Sequence, residues 1–205
     1  MPTYVYVHGF NSGPESRSGQ ALQEIIGAPV FCPRNDYSRT FSECLDDLAD
    51  QIRKNTSVTD GPLCLMGTSL GGFYALQLRL PGTGQVIAWN PVIYPALQLA
   101  GFVGENTRFT DNQKWRFSHE ACLSYAEAPD PRDWDNVFRH RLEEKDPVGW
   151  SNQHGAPRRD VVLGIHDVLL DHELSREYWK NHLSLLEIDA GHHIEHFYHV
   201  LTLLE

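Results

Sequence analysis

The sequence is poor in basic residues, and it lacks any long apolar run. It has 17 Lys and Arg against 27 Asp and Glu, which gives a formal net charge of -10 over 205 residues. That charge repels nucleic acid and anionic membranes, so neither is an expected partner. Apolar runs stay well short of the roughly 18 to 20 residues that span a bilayer, and the opening MPTYVYVHGF lacks the basic region and cleavage site of a signal peptide. We therefore expect a cytoplasmic protein.

Cysteines and histidines form no metal-binding pattern in the sequence. The four cysteines are far apart without a CxxC pair, as is typical of buried, reduced thiols in a cytoplasmic protein: Cys32, Cys44, Cys64 and Cys122. His192, His196 and His199 follow helical spacing, but HExxH is absent and no carboxylate set accompanies them. These histidines are interpreted as a helix face, and no metal site is expected.

Short β-rich apolar segments alternate with amphipathic ones along the chain. Strands are predicted at 4–7, 30–31, 63–66, 86–89, 160–164 and 183–188, and helices at 42–54, 70–80, 174–181 and 194–204. In the first of these helices, Leu45, Leu48, Ala49 and Ile52 form an apolar stripe opposite a carboxylate face. This alternation predicts an α/β fold with a mostly parallel sheet and helices on both faces.

Residues 95–150 fit this alternation poorly, because they are rich in polar and aromatic residues and have no clear strand. We interpret them as a small helical and loop insertion that caps the sheet. A second domain would need more apolar residues, so residues 1–205 are predicted to form a single domain. The aromatic residues of the insertion either line a substrate pocket or form the insertion's own core: Trp115, Phe117, Trp134, Phe138 and Trp150.

The segment Gly67-Thr68-Ser69-Leu70-Gly71 matches GxSxG at the junction of a predicted strand and helix. A nucleophile elbow places its serine in a strained turn of this kind, and the flanking glycines let neighbouring backbone pass without a Cβ clash. The alternative is a glycine-rich turn in which Ser69 only caps the helix. We interpret Ser69 as the nucleophile.

A serine hydroxyl needs a base, and the downstream sequence offers an acid and a histidine in the order typical of α/β-hydrolases. Asp167 follows one predicted strand; Asp171 is the alternative acid, although the N-cap of the next helix is the preferred interpretation of it. His192 and His193 follow the last strand. Because they are adjacent, their side chains point in different directions, and only one of them can reach Ser69.

An oxyanion hole needs two backbone N–H groups directed at the developing negative charge. One is predicted to come from Leu70, which follows the nucleophile. The other is predicted to come from Phe10, in the segment HGFNSGP after the first strand.

Six segments in order give the chain a resemblance to the YqiA/YcfP-type small esterases of the α/β-hydrolase superfamily: YVYVHGFNSGPES, MGTSLGGFYA, NPVIYP, GENTRFT, GIHDVLLD and GHHIEHF. The resemblance implies a compact hydrolase without metal or organic cofactor and with carboxylesterase activity on short acyl esters. It matches Ser69 to the nucleophile, Asp167 to the acid, and His193 to the histidine after G-x-x in preference to His192.

The predicted reaction is acyl transfer from a small-molecule ester to water through a Ser-His-Asp triad and an acyl-enzyme. A thioesterase or a carbon–carbon bond hydrolase would use the same triad. An alternative of another class is a hydrolase-like binding protein without catalysis. The sequence gives no indication of the oligomeric state.

Overall fold

The computed structural model describes residues 2–56, 61–133, 157–193 and 197–204. Within these ranges six strands form one parallel sheet in the order β2-β1-β3-β4-β7-β8, and β5 pairs antiparallel with β6 in a separate hairpin. The strands are β1 Thr3–Val7, β2 Val30–Phe31, β3 Leu63–Thr68, β4 Thr83–Trp89, β5 Gly104–Thr107, β6 Lys114–Phe117, β7 Arg158–Gly164 and β8 Ser184–Ile188.

Helices connect the parallel strands and cover the sheet. They are α1 Arg17–Ile26, α2 Phe41–Asn55, α3 Leu70–Gln77, α4 Pro95–Gln98, α5 His119–Ser124, α6 His172–Trp179 and α7 His199–Leu203, with short 3-10 turns at Ala100–Phe102, Tyr125–Glu127 and Pro131–Asp133. Four of these helices begin at a residue whose side chain caps them: Ser16, Thr40, Ser118 and Asp171. In α2, for example, Thr40 and Glu43 form a capping box.

Successive side chains of each strand point to opposite faces of the sheet. Both faces are buried because helices pack against each of them. On β3, Leu63 and Leu65 pack with α2 and α3, whereas Cys64 and Met66 pack with α1 and α7. All eight residues of α3 are buried. This central helix therefore has no solvent-exposed face.

The predicted α/β fold is confirmed, since each of the six predicted strands overlaps a strand of the sheet. The prediction that residues 95–150 contain no strand is wrong at the β5–β6 hairpin. Its strands have only four residues each, mostly polar, so the alternation of exposed and buried positions was too short to recognise. Residues 134–150 of the predicted cap lie outside the described residues.

The helices differ from the sequence prediction in three places. Helix α1 was not predicted, although Ser16 caps its start and Gly27, with φ 68°, ends it. Helix α3 ends at Gln77, because the chain turns extended at Leu78, which is buried in the core. The last helix covers His199–Leu203 only, and residues 194–196 of its predicted range are not described.

The cysteines are free thiols, and three of them are buried. Burial raises the pKa of Cys32 to about 11 and that of Cys64 to about 12. No helix in the described part of the chain is long and apolar enough to cross a membrane.

Candidate active site

The turn between β3 and α3 places Ser69 in a strained backbone conformation. Its φ of 57° and ψ of -124° lie in a region that costs a residue with a Cβ of the order of 1–3 kcal/mol. The other described residues with positive φ, glycine aside, are all asparagines, which tolerate it better. Hydrogen bonds hold the turn: the Ser69 N–H donates to the Trp89 carbonyl at 2.9 Å, and the Ser69 carbonyl accepts from Phe73 N–H at 3.1 Å.

Two glycines beside Ser69 are required by close backbone contacts. A Cβ at Gly67 would lie 2.3 Å from the Gly71 carbonyl oxygen, and a Cβ at Gly71 would lie 2.1 Å from the Val7 carbonyl oxygen. Backbone atoms cannot move aside as a flexible side chain can. The glycines of GxSxG therefore let α3 start directly against β1 and β3, as a nucleophile elbow requires.

Asp167 and His192 form a hydrogen-bonded pair beyond the ends of β7 and β8. His192 Nδ1 lies 2.8 Å from Asp167 Oδ2, and both side chains are almost fully buried, with exposures of 7% and 3%. The other carboxylate oxygen, Oδ1, accepts from the N–H groups of Leu169 and Leu170 at 2.8 and 2.9 Å. Burial raises the pKa of Asp167, but these hydrogen bonds, first that from His192, outweigh it, and the pKa falls below its usual value. Asp167 is thus held as a carboxylate facing the imidazole.

This pairing fixes the tautomer of His192. A carboxylate can only accept, so Nδ1 carries the proton and donates it to Asp167. In the neutral form of the ring the acceptor is therefore Nε2, the atom that a general base would use. Within the described residues no hydrogen bond joins His192 to Ser69.

Asn90 connects the loop that carries the acid to the loop that carries the histidine. Its Oδ1 accepts from Gly164 N–H at 2.8 Å, and its Nδ2 donates to the carbonyls of Gly191 and His192 at 3.1 and 3.0 Å. A Cβ at Gly164 would lie 2.5 Å from the carbonyl oxygen of Gly191. The two loops are therefore packed backbone to backbone, with the buried Asn90 side chain between them.

The loop after β1 lies directly against the serine turn. A Cβ at Gly9 would lie 3.3 Å from the Thr68 carbonyl oxygen and 3.5 Å from the Ser69 Cβ. His8, 1% exposed, accepts from Asn35 N–H at Nε2 (3.3 Å), so its Nδ1 carries the proton and donates to the Gly9 carbonyl (3.0 Å). Burial lowers the pKa of His8 to about 4, in agreement with a neutral ring.

The position of Phe10 N–H follows from this contact. The peptide bonds of the described residues are trans, so the N–H of Phe10 points away from the Gly9 carbonyl that His8 holds. Leu70 is the first residue of α3, and its N–H has no acceptor within the helix. The two predicted oxyanion donors thus lie on neighbouring segments, because Leu70 follows Ser69 and Phe10 follows Gly9, which contacts the Ser69 turn.

Comparison with known proteins assigns the chain to a family. The model of the Uncharacterised protein family (UPF0227) matches residues 3–204. The chain belongs to this family. The match confirms the resemblance to the YqiA/YcfP-type esterases that the sequence motifs indicated.

Solved structures share the fold of this UPF0227 chain. Est1E from Butyrivibrio proteoclasticus is 17% identical with a TM-score of 0.67, over 99% of this chain and 84% of that one. A monoacylglycerol lipase from Paleococcus ferrophilus is 17% identical with a TM-score of 0.56, over 93% and 86%. A structure described as one of the metagenome-derived lipolytic enzymes LipS and LipT is 13% identical with a TM-score of 0.59, over 93% and 85%. These likenesses establish the α/β-hydrolase fold of the UPF0227 chain.

The other sequence-predicted residues of the UPF0227 chain surround the acid–histidine pair at different distances, and the His193 ring lies 5.3 Å from the His192 ring. Asp171 caps α6, accepting from Leu174 N–H at 2.9 Å, as its preferred interpretation predicted. His193 follows His192 with an exposed side chain, and His199 accepts from Trp89 Nε1 at 2.8 Å. His196 lies outside the described residues. In the part of the chain that the structure describes, no group of three or more His, Cys, Asp or Glu could hold a metal ion.

Sequence reasoning missed two contributors to the site. Neither Asn90 nor His8 is among the candidate site residues of the sequence analysis. His8 bonds the carbonyl of Gly9, next to a predicted oxyanion donor. A usable signal existed for Asn90, because an asparagine directly after a buried strand is a frequent carrier of positive φ, here 41°.

Proposed function

We propose that this UPF0227 protein is a serine hydrolase that cleaves small acyl esters, with Ser69 as nucleophile, His192 as base and Asp167 as acid. The observation that carries the proposal is the buried hydrogen bond between His192 Nδ1 and Asp167 Oδ2, on the loops beside the strained Ser69 turn. A neutral histidine oriented by a carboxylate is what a serine hydroxyl needs for activation at neutral pH.

In the proposed reaction, His192 Nε2 takes the proton of Ser69 Oγ as that oxygen attacks the ester carbonyl. The Asp167 carboxylate stabilises the imidazolium, and the N–H groups of Leu70 and Phe10 donate to the oxyanion. The intermediate collapses when the leaving alcohol takes the proton from His192. Water then repeats the sequence on the acyl-enzyme and releases the carboxylic acid.

The choice of His192 as base replaces His193, which the family resemblance favoured. The support is that His192 is the histidine bonded to Asp167, and that its side chain is buried whereas that of His193 is exposed. A base whose imidazolium is stabilised by a buried carboxylate keeps its orientation through the catalytic cycle.

The ester class of substrate rests on the family and on fold relatives. Several structural relatives are named as esterases or lipases, and one of these structures is Est1E with ferulic acid bound. Carboxylesterase activity on short acyl chains is therefore the proposed specificity. A panel of p-nitrophenyl esters, acyl-CoA thioesters and β-diketones tests it, with the highest kcat/KM expected on the esters.

The triad is tested by a fluorophosphonate probe and by variants. We expect mass spectrometry to place the adduct on Ser69, and Ser69→Ala to lose both the adduct and esterase turnover. The adjacent histidines supply a matched pair. His192→Gln should lower kcat by three or more orders of magnitude, whereas His193→Gln should retain most of it. Turnover at the wild-type rate in Ser69→Ala would refute the proposed function, and the opposite ranking of the histidine variants would refute the choice of base.

A further inference from the structure

The β5–β6 hairpin of the cap contacts the loop that carries one of the proposed oxyanion donors. Asn106 and Trp115 are directly opposed across the hairpin, so their side chains share one face. Both meet Asn11, the residue after Phe10. Trp115 Nε1 donates to Asn11 Oδ1 at 2.8 Å, and Asn11 Nδ2 donates to Asn106 Oδ1 at 3.3 Å.

The backbone of the hairpin turn makes a third contact with the same residue. Phe109 N–H donates to the Asn11 carbonyl at 2.7 Å. Asn11 is 7% exposed and has a φ of 57°, a conformation that needs such contacts to persist. Three of its four polar groups thus have their partners in the hairpin, and no other element in the described part of the chain bonds them.

The ring of Phe10 also packs against the cap. Its centroid lies 5.1 Å from the Trp115 ring, 5.2 Å from the Phe117 ring and 5.4 Å from the Phe102 ring, all within the range of favourable aromatic pairs. On its other side lies Tyr37, at 5.7 Å. Phe10 is therefore fixed at its side chain by the cap and at its preceding peptide by His8.

We propose that the β5–β6 hairpin positions the oxyanion hole: Trp115 and Asn106, by bonding Asn11, hold the N–H of Phe10 in place for the transition state. This inference rests on the proposed function. Trp115 and Asn106 are positioning residues, because they act through the loop and not on the reacting atoms. The requirement is physical, since an oxyanion donor is effective only when it is fixed before charge develops.

The test removes one hydrogen bond and keeps the ring. Trp115→Phe loses the donor to Asn11 but retains an aromatic side chain against Phe10, and Asn11→Gly loses the acceptor while tolerating the positive φ. Loss of an entire oxyanion donor costs about 100- to 1,000-fold in kcat, so a displaced donor should cost about tenfold. We expect each variant to lower kcat on p-nitrophenyl acetate by about that factor, with KM within about twofold of wild type.

A second readout separates positioning from a merely structural role. A trifluoromethyl ketone binds when Ser69 Oγ adds to its carbonyl: the O–C bond forms, the carbonyl electron pair moves to oxygen as the oxyanion, and the serine proton passes to His192. Its inhibition constant should rise about tenfold in Trp115→Phe, in parallel with the fall in kcat. The double variant with Asn11→Gly should be no worse than Asn11→Gly alone, because both changes remove the same bond.

The opposite face of the hairpin supplies the control. Arg116 and Glu105 are directly opposed there with exposed side chains, and the Arg116 guanidinium lies 3.6 Å from Glu105 Oε1. Arg116→Gln should leave kcat and the inhibition constant unchanged. If wild-type protein takes the fluorophosphonate adduct on Ser69 but Trp115→Phe keeps its kcat and inhibition constant, only the hairpin inference is refuted. If wild-type protein takes no adduct on Ser69, the proposed function is refuted, and the hairpin inference that rests on it is refuted as well.

Discussion

The Asn90 side chain bonds both loops of the candidate site, so its replacement should lower the free energy of unfolding by a predictable amount. Asn90→Ala leaves three buried backbone groups without their partner: the Gly164 N–H and the carbonyls of Gly191 and His192. A buried polar group that loses its partner costs about 1–3 kcal/mol. The φ of 41° adds about 1 kcal/mol for alanine. Taking the lower bound for each of the three groups and adding the backbone cost, we expect Asn90→Ala to lower the free energy of unfolding by at least about 4 kcal/mol, against a typical total of about 5–15 kcal/mol.

In the isosteric variant Asn90→Asp, the free energy of unfolding should depend on pH. It keeps an acceptor for Gly164 N–H, but it places a carboxylate oxygen where Nδ2 now lies 3.0–3.1 Å from two carbonyl oxygens. Repulsion and burial should raise the folded-state pKa of the new carboxyl above its unfolded value of about 3.9. The free energy of unfolding of the variant is then highest below about pH 3.9, and it falls as the pH rises through the folded-state pKa of the new carboxyl.

Urea unfolding between pH 4 and pH 7 measures both effects, with wild type as the reference at each pH. The difference in unfolding free energy between wild type and Asn90→Asp should increase as the pH rises. The difference between wild type and Asn90→Ala should not change with pH. Because the His192 loop loses its two bonds in both variants, kcat should also fall in the folded fraction. An unfolding free energy of Asn90→Ala within 1 kcal/mol of wild type would refute the reasoning.

Three further predictions follow from the site. Gly71→Ala should prevent folding, because its Cβ would lie 2.1 Å from the Val7 carbonyl oxygen, whereas Gly101→Ala, with nothing within 4 Å of its Cβ, should be nearly neutral. Burial lowers the pKa of His8 to about 4 from about 6.5, so the unfolded chain binds the extra proton and stability falls between pH 6.5 and pH 4 by about 3 kcal/mol. Asp167→Asn should lower kcat by about four orders of magnitude, because the histidine loses its fixed tautomer.

Each of these has a direct measurement. Soluble yield and circular dichroism report on the two glycine variants, and equal behaviour of the pair would contradict the close-contact argument. Urea unfolding at pH 6.5 and pH 4.5 reports on His8, with His8→Gln as the matched variant that should lack most of the difference. Single-turnover acylation by a p-nitrophenyl ester reports on Asp167→Asn, and acylation within tenfold of wild type would exclude Asp167 as the acid.

Much of the fold was predictable because the strands are short, apolar and separated by turns. The parallel sheet followed from β3, β4 and β7, whose residues are buried on both faces, and from helices such as α2 with one apolar stripe. Helix α1 and the β5–β6 hairpin were not predicted. Helix α1 does have start and stop residues, Ser16 and Gly27. The strands of the hairpin are too short for a clear pattern, and the hairpin contacts Phe10 and Asn11, which are about 100 residues away in sequence.

The sequence by itself determined the positions of the candidate groups: a serine between glycines after one strand, an aspartate after a second and a histidine after a third. Strand-end chemistry is local, and parallel strands bring their carboxyl ends to one edge. Which of His192 and His193 is bonded to Asp167 is visible only in the tertiary structure. Adjacent residues have the same local sequence signal, whereas packing of the loop against Gly164 and Asn90 directs one imidazole to Asp167. Long-range backbone contacts, which no sequence pattern records, set that orientation.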